Sequence, residues 1–142
     1  MYTENDIVRL LADAENLNLQ IPAGIFDQSP DKLCKICNGV GCEHPEHIPP
    51  ALRKALNRVY AFAECSAMLH DWAYFNSDGT EISREKSDKQ FRANMLDEIE
   101  GRNPRFKWLK QWLALRAYEA VRKYGRSDWC IAFAEKQNKK DK

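Results

Sequence analysis

Apolar residues recur at helical spacing along most of the chain. Ile7, Leu10, Leu11, Ala14 and Leu17 share one face behind Thr3, a good N-cap, and the pattern runs on until Ile21-Pro22-Ala23-Gly24 ends it. From Pro49 or Pro50 the run Leu52, Leu56, Val59, Tyr60, Ala63, Ala67, His70, Asp71 and Tyr74 keeps the period for roughly seven turns, predicting one long helix that stops at Asn76-Ser77-Asp78-Gly79. Ser83 suits the next cap. Phe91, Met95 and Ile99 form the buried stripe of that helix, and Gly101 to Pro104 closes it. A last helix is expected from about Arg105 through Trp108, Leu109, Trp112, Leu113, Leu115, Tyr118 and Val121 to Gly125, which suits a C-terminal cap.

The stretch from 22 to 50 breaks this pattern. It is rich in proline, carries Gly39 and Gly41, and reads as an irregular loop. The expected fold is therefore mainly α: a single domain over residues 1–135 in which an antiparallel helix pair is flanked by further helices and a Cys/Gly loop. Trp129 and Phe133 are expected to pack behind the last helix, a polar tail follows over 136–142, and the only candidate strands are a short pair around 76 to 82.

Composition narrows the class. With 142 residues, 44% of them hydrophobic, and a net charge of +1, the chain can build one core and has no global charge drawing it to nucleic acid. Its polar, acidic start lacks the basic and apolar regions of a signal peptide, and no segment is apolar enough to span a bilayer, so a cytoplasmic location is expected where the protein is made. Five cysteines without an export signal point to reduced thiols or a metal site rather than a disulfide framework.

Candidate chemistry centres on His70-Asp71. Two polar neighbours inside the apolar run Ala67-Met68-Leu69-His70-Asp71-Trp72-Ala73-Tyr74-Phe75 each need a partner if buried. On a helix His70 and Tyr74 share a face while Asp71 points roughly 100° away, so one helix could offer a base on one side and a metal-binding carboxylate on another. With an antiparallel neighbour, Asp88 of the next helix could face back toward His70.

His70-Asp71-Trp72-Ala73-Tyr74, preceded by Cys37-Asn38-Gly39-Val40-Gly41 and followed by Ser87-Asp88-Lys89-Gln90-Phe91, resembles the phospholipase A(2) catalytic fold. The short spacing is more similar to the compact parvoviral capsid lipase domain than to the disulfide-rich secreted enzymes. Together with Tyr118-Glu119-Ala120-Val121-Arg122-Lys123-Tyr124-Gly125, these motifs also resemble a group of phage and prophage proteins. The resemblance implies a calcium-dependent esterase acting on a glycerophospholipid at a membrane surface. His70 would be the general base, Asp88 would orient it and Tyr74 would hydrogen-bond Asp88. Asp71 would bind calcium with the backbone carbonyls of Cys37, Gly39 and Gly41.

A second metal reading stands beside this one. Cys34 and Cys37 form a C-x-x-C pair, and Cys42, His44 and His47 complete a set of soft ligands suited to tetrahedral zinc. The corresponding function is a non-enzymatic phage interaction protein with a structural zinc loop, whose partner is a host protein. Arg105, Lys107, Trp108, Lys110, Trp112 and Arg116 mix bases with aromatics, but the helical spacing of the aromatics predicts core packing with the bases at its solvated edge.

Overall fold

Thr3 opens the first helix. Its hydroxyl accepts from the Asp6 amide at 3.2 Å while the Asp6 carboxylate accepts from the Thr3 amide at 2.8 Å, a reciprocal cap that leaves two otherwise orphaned donors satisfied. The computed structural model describes residues 2–37 and 50–140, which are mainly helical, with no strand among them. The strand pair expected around 76 to 82 is thus replaced by a turn and the start of a helix.

Helix α1 (Glu4–Asn16) ends sooner than Ile21, because Asn18 takes a left-handed backbone (φ 53°) that turns the chain away. The segment expected to be irregular holds a 3-10 turn (Ile25–Asp27) and a short helix α2 (Pro30–Ile36), capped by Ser29 with Pro30 in its first turn. Seven residues are too few for a visible period, so only the cap signals it. Residues 38–49 lie outside the described residues, and with them Gly39, Gly41, Cys42, His44 and His47.

The single long helix expected from Pro50 to Tyr74 is broken in two. Helix α3 (Pro50–Val59) gives way to a 3-10 turn (Ala61–Ala63), and α4 runs from Glu64 to Phe75. The break swings Phe62 and Ala63 inward against α5 and α6. Thr80, not Ser83, caps α5 (Glu81–Arg102); its hydroxyl accepts from the Ser83 amide at 3.2 Å. Gly125 does not end the last helix, since α6 continues from Lys107 to Lys140.

Helix α4 lies between two apolar clusters. One joins Ile7, Leu10, Leu33, Ile36, Cys37, Met68, Leu69 and Trp72 from α1, α2 and α4; the other joins Ala67 of α4 to Phe91, Met95 and Ile99 of α5 and Ala114 and Ala117 of α6. Each fully buried Met or Leu contributes roughly 1.5–3 kcal/mol by leaving water. Sandwiched in this way, α4 buries every residue from Cys65 to His70.

Two polar pins fix the linker after α1 onto this frame. Asn94 of α5 accepts from the Gln20 amide at 2.8 Å and donates to the Gln20 carbonyl at 2.9 Å, and the Trp72 indole donates to the Ala23 carbonyl at 3.1 Å. Helices α4 and α5 run antiparallel: Ser66 meets Glu98 at one end, and His70 meets Asp88 nearer the other.

The outer side of α6 departs from expectation. Trp108 is 70% exposed and Trp112 52%, with Leu109 and Leu115 also exposed, so these residues are not core. The inward face is built instead from Ala114, Ala117 and Gly125, small residues that bring α6 close to α4 and α5.

Candidate functional site

Asp88 is a fully buried carboxylate in the middle of α5, and four side chains converge on it. Its Oδ1 accepts from His70 Nε2 at 2.9 Å and from the Tyr74 hydroxyl. Its Oδ2 accepts from Arg122 Nη1 of α6 at 2.7 Å and from Arg84 Nη1, one turn earlier on α5, at 3.4 Å. Helical geometry explains the set: His70 and Tyr74 are four apart on α4, as are Arg84 and Asp88 on α5, and the antiparallel packing brings both pairs to one level.

Electrostatics keep this carboxylate charged. Burial by itself would push Asp88 up, but the hydrogen bond and charge of His70, with the hydrogen bonds from Tyr74 and Arg122, outweigh it and hold the carboxyl below its ordinary range. The Tyr74 phenol is pushed up by burial and by its bond to Asp88, so it stays a protonated donor. The Arg122 guanidinium is held protonated chiefly by its bond to Asp88.

Glu81 closes the network on the solvent side. Its carboxylate accepts from Arg84 Nε and Nη2 at 2.7 and 2.8 Å and from Arg122 Nη2 at 2.8 Å, which lowers its pKa to about 2. Arg84 also donates to the Val121 and Arg122 carbonyls of α6. Two arginines thus lie between a buried and an exposed acid and tie α5 to α6 behind the histidine.

An ionised Asp88 can only accept, so the proton between it and His70 sits on Nε2, and whenever the ring is neutral its lone pair is on Nδ1. Among the described residues Nδ1 has no hydrogen-bond partner. The ring is 8% exposed and is held by stacking on Phe91, centroids 4.4 Å apart and planes at 19°, with Tyr74 tilted against it at 4.1 Å. The imidazole therefore has a defined tautomer and orientation.

Asp71 looks the other way. It is half-buried and close enough to the N-terminal segment to act on the Tyr2 phenol. There the Tyr2 phenol is pushed up first by burial and then by Glu64, Asp71, Cys37 and Cys65 around it. The Cys37 thiol donates to the Met68 carbonyl at 3.5 Å, one turn before Asp71.

The structure thus gathers His70, Tyr74 and Asp88 into one buried cluster, while Asp71 and Cys37 both act on the Tyr2 phenol. Cys34 lies half-buried on α2. The remaining zinc candidates fall outside the described residues, among which no group of three or more metal-ligating side chains occurs.

Sequence reasoning assigned no role to Arg84, Arg122 or Glu81. The 81, 84, 88 spacing was a readable signal, since acid and base three or four apart pair along a helix. The arrival of Arg122 from α6 had no local signal. A second buried acid was also missed: Glu98 accepts from the Ser66 amide at 3.0 Å, the Ser66 hydroxyl at 2.8 Å and the Cys65 amide at 3.4 Å. It caps α4 from across the helix pair, where Ala63 supplies no side-chain cap.

No protein-family model, curated protein or solved structure matches the chain.

Proposed function

We propose that the protein is a calcium-dependent lipid esterase that hydrolyses an acyl ester of a glycerophospholipid in the manner of a phospholipase A(2). The observation that carries this reading is the oriented imidazole, with Nε2 committed to an ionised, buried Asp88 and Nδ1 left with its lone pair. That arrangement is what a general base for water requires.

In the proposed reaction Nδ1 of His70 takes a proton from water as the water oxygen bonds to the ester carbonyl carbon. Asp88 stabilises the imidazolium that forms, and Tyr74 and Arg122 hold Asp88 in place. When the tetrahedral adduct collapses, the ester C–O bond breaks and the imidazolium returns its proton to the departing alkoxide. The products are a fatty acid and a lysophospholipid.

The chemistry of the proposed donors, a carboxylate and backbone carbonyls, is that of a calcium site, although Gly39 and Gly41 lie outside the described residues. Asp71 is a half-buried carboxylate, Cys37 is the last described residue before the glycine segment, and carbonyl and carboxylate oxygens are the donors a hard cation takes. Asp71 and the carbonyls of Cys37, Gly39 and Gly41 would hold the ion. Bound there, calcium supplies a Lewis acid for the ester carbonyl and countercharge for the oxyanion.

The test is release of labelled fatty acid from phospholipid vesicles with calcium or with chelator. Release that needs calcium and falls about 10³-fold in His70→Ala is expected, and so is loss of the calcium response in Asp71→Asn. Full activity in folded His70→Ala overturns the reading. Stoichiometric zinc with no hydrolysis supports the interaction protein instead.

A further inference from the structure

The face of α6 turned away from α4 and α5 has a symmetry of its own. Trp108, Leu109, Trp112, Leu115, Arg116 and Glu119 are all exposed and share one side of the helix, opposite the buried Ala114 and Ala117. Counted outward from Trp112, Leu109 and Leu115 stand three residues to either side, and Trp108 and Arg116 four. The acid Glu119 comes seven residues after Trp112, and the exposed base Arg105 seven before it. Leucine is thus matched with leucine, an indole with a guanidinium, and a guanidinium with a carboxylate.

That is the order an isologous interface requires. A two-fold axis beside Trp112 sets two α6 helices antiparallel, and residues equally far from the axis on opposite sides then stand at one level, i beside j and j beside i. At 1.5 Å per residue the leucine levels lie about 4.5 Å from the axis and the Arg105 and Glu119 levels about 10 Å from it. Trp112 would pack on its own copy, with Glu119 level with Arg105 of the second chain at both ends. Arg116 already holds its guanidinium 5.5 Å over the Trp112 ring of its own chain, the kind of contact that the second chain's Trp108 would offer it. The Arg116 to Glu119 ion pair, 2.8 Å long with both side chains about half exposed, contributes little in water, so both groups can exchange it for partners across the interface.

Other occupants do not account for this order. A parallel pair would set Glu119 against Glu119 and Arg116 against Arg116. A lipid surface or an unrelated protein gives no reason for the residues on one side of Trp112 to complement those on the other. We infer that the outer face of the first half of α6 binds a second copy of this chain, antiparallel and centred on Trp112. The inference does not rest on the esterase reading, because it concerns association and not hydrolysis.

The test is sedimentation velocity of the full chain from about 1 to 100 μM. A reversible dimer is expected, with a Kd that rises about tenfold or more in Trp112→Ala. Arg105→Glu and Glu119→Lys should each weaken it about fivefold, because each sets like charges level across the interface, and the two together should return the Kd to within about threefold of the parent. All three side chains are exposed, so the variants should keep their helical circular dichroism. The inference is overturned if the parent stays monomeric at the highest concentration, or if folded Trp112→Ala dimerises like the parent. It is equally overturned if the double charge reversal associates no better than either single one, or if a monomeric parent instead uses the tryptophans to bind phospholipid vesicles.

Discussion

Asp88→Asn keeps the shape of the side chain and exchanges half of its acceptors for donors. Four donors converge on the carboxylate: His70 and Tyr74 on one oxygen, Arg122 and Arg84 on the other. An amide satisfies one side only. With its oxygen toward His70 and Tyr74, its NH2 faces two guanidiniums. Flipped, it meets the Tyr74 hydroxyl with a second donor. Breaking a buried ion pair from one side costs roughly 3–5 kcal/mol, and because the Arg122 side chain is 26% exposed and keeps Glu81, the low end, about 3 kcal/mol, applies here. With a urea slope of about 2 kcal/mol/M, the midpoint should fall by about 1.5 M, read by far-ultraviolet circular dichroism.

The pH dependence has a definite sign. Asp88 is held below its ordinary value in the folded protein, so its contribution is fully present above the unfolded value near 4 and is lost as pH falls through the folded one. Parent and variant should therefore differ at pH 7 and converge in acid. A midpoint within about 0.25 M of the parent at pH 7 would refute the claim that this carboxylate is the electrostatic centre of the α4–α5–α6 contact.

Glu98→Ala should destabilise by roughly 3–4 kcal/mol, because it opens a gap, strips the α4 N-terminus of its acceptor and leaves Arg102 without its buried partner, and Glu98→Gln should cost nearly as much, since its NH2 would face either the two Ser66 donors or the Cys65 amide and Arg102; a Glu98→Gln urea midpoint within about 0.25 M of the parent would show that the buried charge is unimportant. The Cys65 thiol is pushed up to about 12, first by burial and then by Glu98. The folded state thus holds a proton that the unfolded state loses, and stability should fall as pH rises from about 9 toward 12, a slope that Cys65→Ala should flatten in urea titrations at alkaline pH.

The sequence by itself determined that the chain is helical, and it located the start of α1, the buried stripe Phe91, Met95 and Ile99, and the turn before α5, because caps and helical periods are written within a few residues. It also marked His70 and Asp71 as polar groups inside an apolar run that would have to be explained. Only the tertiary structure decided where that run breaks. The 3-10 turn at Ala61–Ala63 stands because Phe62 and Ala63 find partners on α5 and α6, and because Glu98, more than thirty residues away, caps the new helix end.

The same distinction explains Gly125 and the tryptophans. Glycine is a stop signal where the chain must turn, but here it lets α6 pass α4: a Cβ at Gly125 would lie 3.1 Å from the Tyr74 hydroxyl oxygen. Trp108 and Trp112 have the spacing of a core stripe, yet spacing says only that residues share a face. Which face turns inward was decided by the small residues Ala114, Ala117 and Gly125, since the helix approaches its neighbours most closely where its side chains are shortest. Arg122 reaches Asp88 for that reason, and no pattern local to either residue encodes a meeting across 34 positions.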